Sequence, residues 1–98
     1  MEAYKVIPVP KPVPEILAAQ LTPRNTVDML YWIENFEFPN VSVSACFSNG
    51  RFGLKFQYAE THMFAVPGNW IMVNTTDRKI WFLSDAALRS AYTFENNE

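Results

Sequence analysis

The sequence predicts an α+β fold: a mostly antiparallel sheet of four or five strands packed against one main helix, with a short second helix near the C-terminus. Three observations predict it. Residues 22–36 repeat their apolar side chains with a helical period. From Val41 the period drops to two and holds through both limbs of a hairpin. Finally, residues 66–95 read VPGNWIMVNTTDRKIWFLSDAALRSAYTFE, in which a Pro-Gly turn, an apolar run, a polar turn, a second apolar run and a Ser-Asp cap follow one another. The 98 residues, 49% of them apolar and including eight Phe, four Tyr and three Trp, suit one domain spanning 1–98 with a single core.

In chain order, YKVIPVPKPV at 4–13 forms a proline-rich rim, an edge strand or polyproline ribbon, because prolines 8, 10 and 12 remove backbone donors. Prolines 8, 10, 12 and 14 lie two apart, which does not match the three-residue spacing of SH3-docking peptides. Pro14 is placed to start a helical turn through EILAAQL. The main helix runs from Thr22 to Phe36, with Thr22 or Thr26 as cap. At 100° per residue, Val27, Met29, Leu30, Tyr31, Trp32, Ile33 and Phe36 cover well over half of its circumference, and Asp28, Glu34 and Asn35 hold the rest. So wide an arc implies either cover on both sides or a flank, around Trp32, that meets a partner.

Val41, Val43, Ala45 and Phe47 alternate with Ser42, Ser44, Cys46 and Ser48. An Asn49-Gly50 turn returns the chain into Arg51–Tyr58, where Phe52, Leu54, Phe56 and Tyr58 share the core side and Arg51, Gly53, Lys55 and Gln57 the wet side. Residues 59–65 read as an irregular link. Strands follow at Trp70–Val73 and Lys79–Leu83, the second buried on both faces. Ser84 then caps a helix from Asp85 to Ala91, and residues 95–98 form a frayed tail.

Composition excludes several classes of function. A net charge of −2 with 18% charged residues lacks the cationic field of a non-specific nucleic-acid binder and the acidity of a DNA mimic. No apolar run reaches membrane-spanning length, and the opening MEAYKVIPVP has no signal-peptide pattern, so a soluble cytoplasmic protein is expected. One cysteine, Cys46, agrees with a reducing compartment. A single His62, with Glu60 near it, and a single Cys46 without neighbouring cations offer neither a metal set nor an activated nucleophile, and no glycine turn forms a phosphate loop. No enzyme activity, metal or cofactor is expected.

The segments PGNWI at 67–71, IWF at 80–82, Asp85 and AYTFE at 91–95 resemble a module of small tailed-bacteriophage and prophage proteins. Its form is PGD-(W/Y)-I, a short turn, an aromatic strand, an acidic residue, a short helix and a final Tyr with an acidic neighbour. YKVIPV is similar to that family's opening strand. Asn69 stands where the family has an acidic residue, and the hairpin around 46–55 is longer. The resemblance implies a phage origin and no established activity. The resulting expectation is a non-enzymatic binding protein that blocks a host or anti-phage defence protein, with a homodimer as a further possibility. The alternatives are sequestration of a nucleotide signal by an oligomer and a structural or accessory phage protein. Asp28, Trp32, Asn35, Arg78 and Trp81 are the candidate partner-binding residues.

Overall fold

The computed structural model describes residues 2–8, 15–48 and 50–94. Prolines 10, 12 and 14, Asn49 and the 95–98 tail of the sequence reading lie outside them. The described chain is α+β. Strands β1 (Tyr4–Pro8) and β2 (Ile16–Gln20) precede helix α1 (Thr26–Glu34). Strands β3 (Val41–Ser48), β4 (Arg51–Tyr58), β5 (Thr61–Ala65), β6 (Trp70–Asn74) and β7 (Lys79–Leu83) follow, and helix α2 (Asp85–Ala91) and strand β8 (Tyr92–Phe94) complete the order. A five-stranded antiparallel sheet has the order β7-β6-β2-β1-β8, and a second antiparallel sheet, of three strands, has the order β3-β4-β5.

The five-stranded sheet is covered on both faces, which explains why its strands carry apolar residues at both parities. On one face Ala19, Ile71, Val73 and Ile80 join Leu54, Phe56 and Ala65 of the smaller sheet and Met29 and Ile33 of α1. On the other, Val6, Ile16, Ala18, Trp70 and Met72 pack with Leu88 of α2, and Trp81, Leu83, Tyr92 and Phe94 close the margin.

Four expectations are corrected. EILAAQL does not coil: Ile16–Gln20 is β2, the middle strand of the larger sheet. Its alanines and leucine favour a helix locally, but burial on two faces overrides a propensity worth only tenths of a kcal/mol per residue. The segment from Tyr4 is not a rim either, because β8 adds beside β1 and pairs Val6 with Phe94 and Pro8 with Tyr92. Proline is accommodated where that ladder ends. The link at 59–65 contains β5, paired with β4 from Leu54↔Ala65 to Tyr58↔Thr61. The main helix is shorter than 22–36, and neither threonine caps it. The N-cap is Asn25, which spends its side chain on the preceding loop, its Oδ1 accepting the Thr22 N–H (2.8 Å) and its Nδ2 donating to the Gln20 carbonyl (3.0 Å).

The second helix is capped as its sequence predicts, Ser84 Oγ accepting the Ala87 N–H at 3.1 Å. The Pro67-Gly68 turn is also as read. Gly68 takes φ +103°, which favours glycine, and its N–H bonds to the Leu21 carbonyl at 2.7 Å. Asn69 Oδ1 accepts the Val66 N–H at 3.0 Å, a bond that an aspartate carboxylate would make equally well.

The two layers around α2 are tied by one polar contact. The buried Trp70 indole Nε1 donates to Asp85 Oδ1 at 2.9 Å, and Arg89 Nε reaches Asp85 Oδ2 at 3.1 Å from the next turn. The indole bond first, and Arg89 second, hold the Asp85 carboxyl below its ordinary value. A depressed carboxyl stabilises the fold above the unfolded-state pKa, about 3.9, and that stabilisation is lost as pH falls through the lower folded value. Trp70→Phe should therefore return the Asp85 pKa towards the ordinary value, and further than Arg89→Ala does, in a side-chain NMR titration. An unchanged Asp85 titration in Trp70→Phe would remove the indole as the cause.

Candidate functional site

Of the five candidate residues, three converge. The C-terminus of α1 ends at Asn35 and leads through Phe36-Glu37-Phe38 and Pro39-Asn40 into β3. Facing this segment is the turn between β6 and β7. Asn74 shapes that turn: its Oδ1 accepts the N–H groups of Thr76 (3.0 Å) and Asp77 (2.9 Å), winding the chain so that Arg78 falls in the left-handed region at φ +57°. Two adjoining cavities lie between these segments. One, of about 300 Å³, is lined by Asn35, Phe36, Glu37, Phe38, Thr75 and Arg78. The other, of about 320 Å³, is walled by Val41, Tyr58 and Ile80, with Pro39 and Asn40 on one side and Arg78 and Lys79 on the other; Trp81 also borders it, but its ring packs on the opposite face of the sheet with Met72 and Leu88. Arg78 lines both, one the polar and the other the apolar lobe of the candidate groove.

The groove's charges are lightly held. Arg78 Nη1 stands 3.9 Å from Glu37 Oε1, both side chains largely in water, an ion pair of small net worth that a partner's charge can replace. In the apolar lobe, burial pushes the Tyr58 phenol up from its ordinary pKa.

Trp32 and Asp28 lie outside the groove. The Trp32 ring is half-buried against the core and meets Phe36 edge-on, with centroids 5.5 Å apart, so it supports the groove wall from behind. The open flank of α1 is instead Val27 (54% exposed) and Tyr31 (65%), while Asp28 faces water. His62 is exposed in β5, opposite Gln57, rather than in a loop, and Cys46 is half-buried in β3.

Alternation also overstates the core of the hairpin. Leu54 and Phe56 are fully buried, but Phe47 is 70% and Phe52 41% exposed. Their side of the sheet is the core side throughout; the hairpin simply outruns the elements beneath it. A hollow of about 460 Å³ lies there, bounded by Pro23, Gly50, Arg51, Phe52 and Pro67.

The sequence reading did not identify Phe36, Glu37, Tyr58 or Thr75 as neighbours of Arg78. Only the aromatic-acidic run directly after the helix hinted at them. Among the described residues no helix is long and apolar enough to cross a membrane. Comparison with protein-family models, with curated proteins and with solved structures finds no match to this chain.

Proposed function

We propose that this chain is a small, non-enzymatic binding protein that acts by occupying a protein surface, with the two-lobed groove around Arg78 as its recognition site. The observation that carries this reading is the convergence of Asn35, Arg78 and Trp81, remote in sequence, on adjoining cavities that share one arginine. The groove suits a protein segment that seats an apolar side chain against Tyr58 and Ile80 and offers a carboxylate to Arg78 in exchange for Glu37. Taken with the phage resemblance of PGNWI, IWF and AYTFE, the target is a host or anti-phage defence protein in the bacterial cytoplasm, and binding blocks it.

A nucleotide signal is the second reading, favoured by Arg78 and Lys79 at the rim of a lobe walled by Tyr58. Glu37 weighs against it, since its carboxylate lies where a polyphosphate would extend.

Affinity purification from expressing or infected bacteria, with mass spectrometry of captured proteins and of released small molecules, separates the two. Capture of a stoichiometric protein is expected, with Arg78→Glu and Tyr58→Ala each weakening it at least about ten-fold, the effect of losing about 1.4 kcal/mol. Stoichiometric nucleotide without protein would sink the inhibitor reading, and undiminished capture by both variants would remove the groove as its site.

A further inference from the structure

The smaller sheet leaves β3 paired on one side only, by β4. An open edge presents alternate N–H and C=O groups to any other strand, and proteins ordinarily blunt such edges with charge, proline or brevity. Among the described edges, β8 has three residues and β5 five, and β7 has five and opens with Lys79 beside Arg78. β3 has eight residues, VSVSACFS, with no charge and no proline, and none of its described side chains is buried. It is the longest and least defended edge among the described strands.

We propose that this edge is a dimerisation strand: two copies pair β3 with β3, antiparallel, about a two-fold axis at Ser44. The residue pattern selects this occupant and this register. Directly opposed residues of an antiparallel pair lie on the same face. The apolar positions of β3 are all odd-numbered, so only an axis passing through a residue sets apolar against apolar. Axes at Ser44 and at Ala45 each pair seven of the eight residues, but only Ser44 brings every apolar residue into a pair, opposing Val43 to Ala45, Ser42 to Cys46 and Val41 to the exposed Phe47 of the second copy, whereas Ala45 would leave Val41 unpaired. An isologous interface also sets each charge on its axis against itself, and β3 carries none.

The test uses the full chain in reductant, which prevents Cys46 from cross-linking adventitiously. Sedimentation equilibrium should return twice the 11.3 kDa chain mass. Ser44 is exposed on the solvent face, so Ser44→Lys and Ser44→Glu should each keep the native circular dichroism. Each should nevertheless halve the mass, because like charges meet on the axis. Mixing the two variants should restore the doubled mass. A natural chain with single mass over the whole concentration range, or an undiminished Ser44→Lys dimer, would overturn the pairing. Failure of the mixture to re-form it would overturn the axis at Ser44. Neither Arg78 nor Tyr58 lies on the β3 edge, so loss of the dimer and loss of partner capture are read from separate variants.

Discussion

Phe56→Ala should destabilise the protein by about 3–5 kcal/mol, the usual cost of emptying a buried phenylalanine site. Phe56 is fully buried where the two sheets meet. Its ring centroid lies 5.2 Å from that of Phe82 across the layers and 6.4 Å from that of Tyr58 along its own strand. Val43 and Met63 stand opposite it on the neighbouring strands. Truncation would leave both aromatic neighbours facing a void that two hydrogen-bonded sheets cannot close by small shifts. For a domain whose total stability is roughly 5–15 kcal/mol, this is a large fraction, and the melting temperature should fall by on the order of 10–20 °C or more. Phe47→Ala removes the same atoms from a ring that is 70% exposed and should cost no more than about 0.5–1 kcal/mol. Denaturant unfolding of the pair measures the contrast. Equal losses would contradict the placement of Phe47 beyond the core.

Gly53→Ala should destabilise the protein by about 1–3 kcal/mol, the range for overpacking a closed site. Gly53 is buried in β4 on the face it shares with Lys55. A Cβ built there would fall on the carbonyl oxygen of Ala65, well inside contact distance, with a Phe64 ring carbon at 3.1 Å and the Ala65 carbonyl carbon at 3.3 Å. A flexible side chain could move aside, but a strand carbonyl cannot do so without loosening β5. Replacing glycine by alanine also stiffens the unfolded chain, a stabilisation of about 0.4–1 kcal/mol, so the observed loss is net of that gain. Amide exchange should show the mechanism, with Phe64 and Ala65 losing protection before the β6 and β2 amides do. Unchanged stability and unchanged β5 protection would refute the account.

What could be read locally was read well. The hairpin strands, β7, α2 and its Ser84 cap occupy the residues that their alternation and punctuation mark, because each depends on neighbours one to four positions away. β5 escaped because THMFA has no clean alternation and owes its strand form to β4 beside it. β2 escaped because an Ala- and Leu-rich run favours a helix until two apolar layers close on it.

For the candidate site the division follows the same line. Residue type nominated Arg78 and Trp81 as recognition groups, and Trp32 and Asn35 entered through the helical arc. Their addresses were not legible, because Arg78 meets Asn35 and Glu37 only after the β6–β7 turn folds over the end of α1. The helical arc left open whether the flank around Trp32 is covered or meets a partner; Trp32 is half-buried, since a wheel does not say which side the smaller sheet will cover. By itself, then, the sequence determined the α+β class, the antiparallel hairpins, the capped second helix and a composition without the charge pattern of a nucleic-acid binder. Tertiary structure alone decided that the strands divide into two sheets, that β1 and β2 are interior, that Phe47 is exposed and Phe56 buried on one face, and that Asn35, Arg78 and Trp81 share a groove. The physical reason is range: caps, turns and periodicity are set within a few residues, whereas burial and site geometry depend on which distant layers pack together.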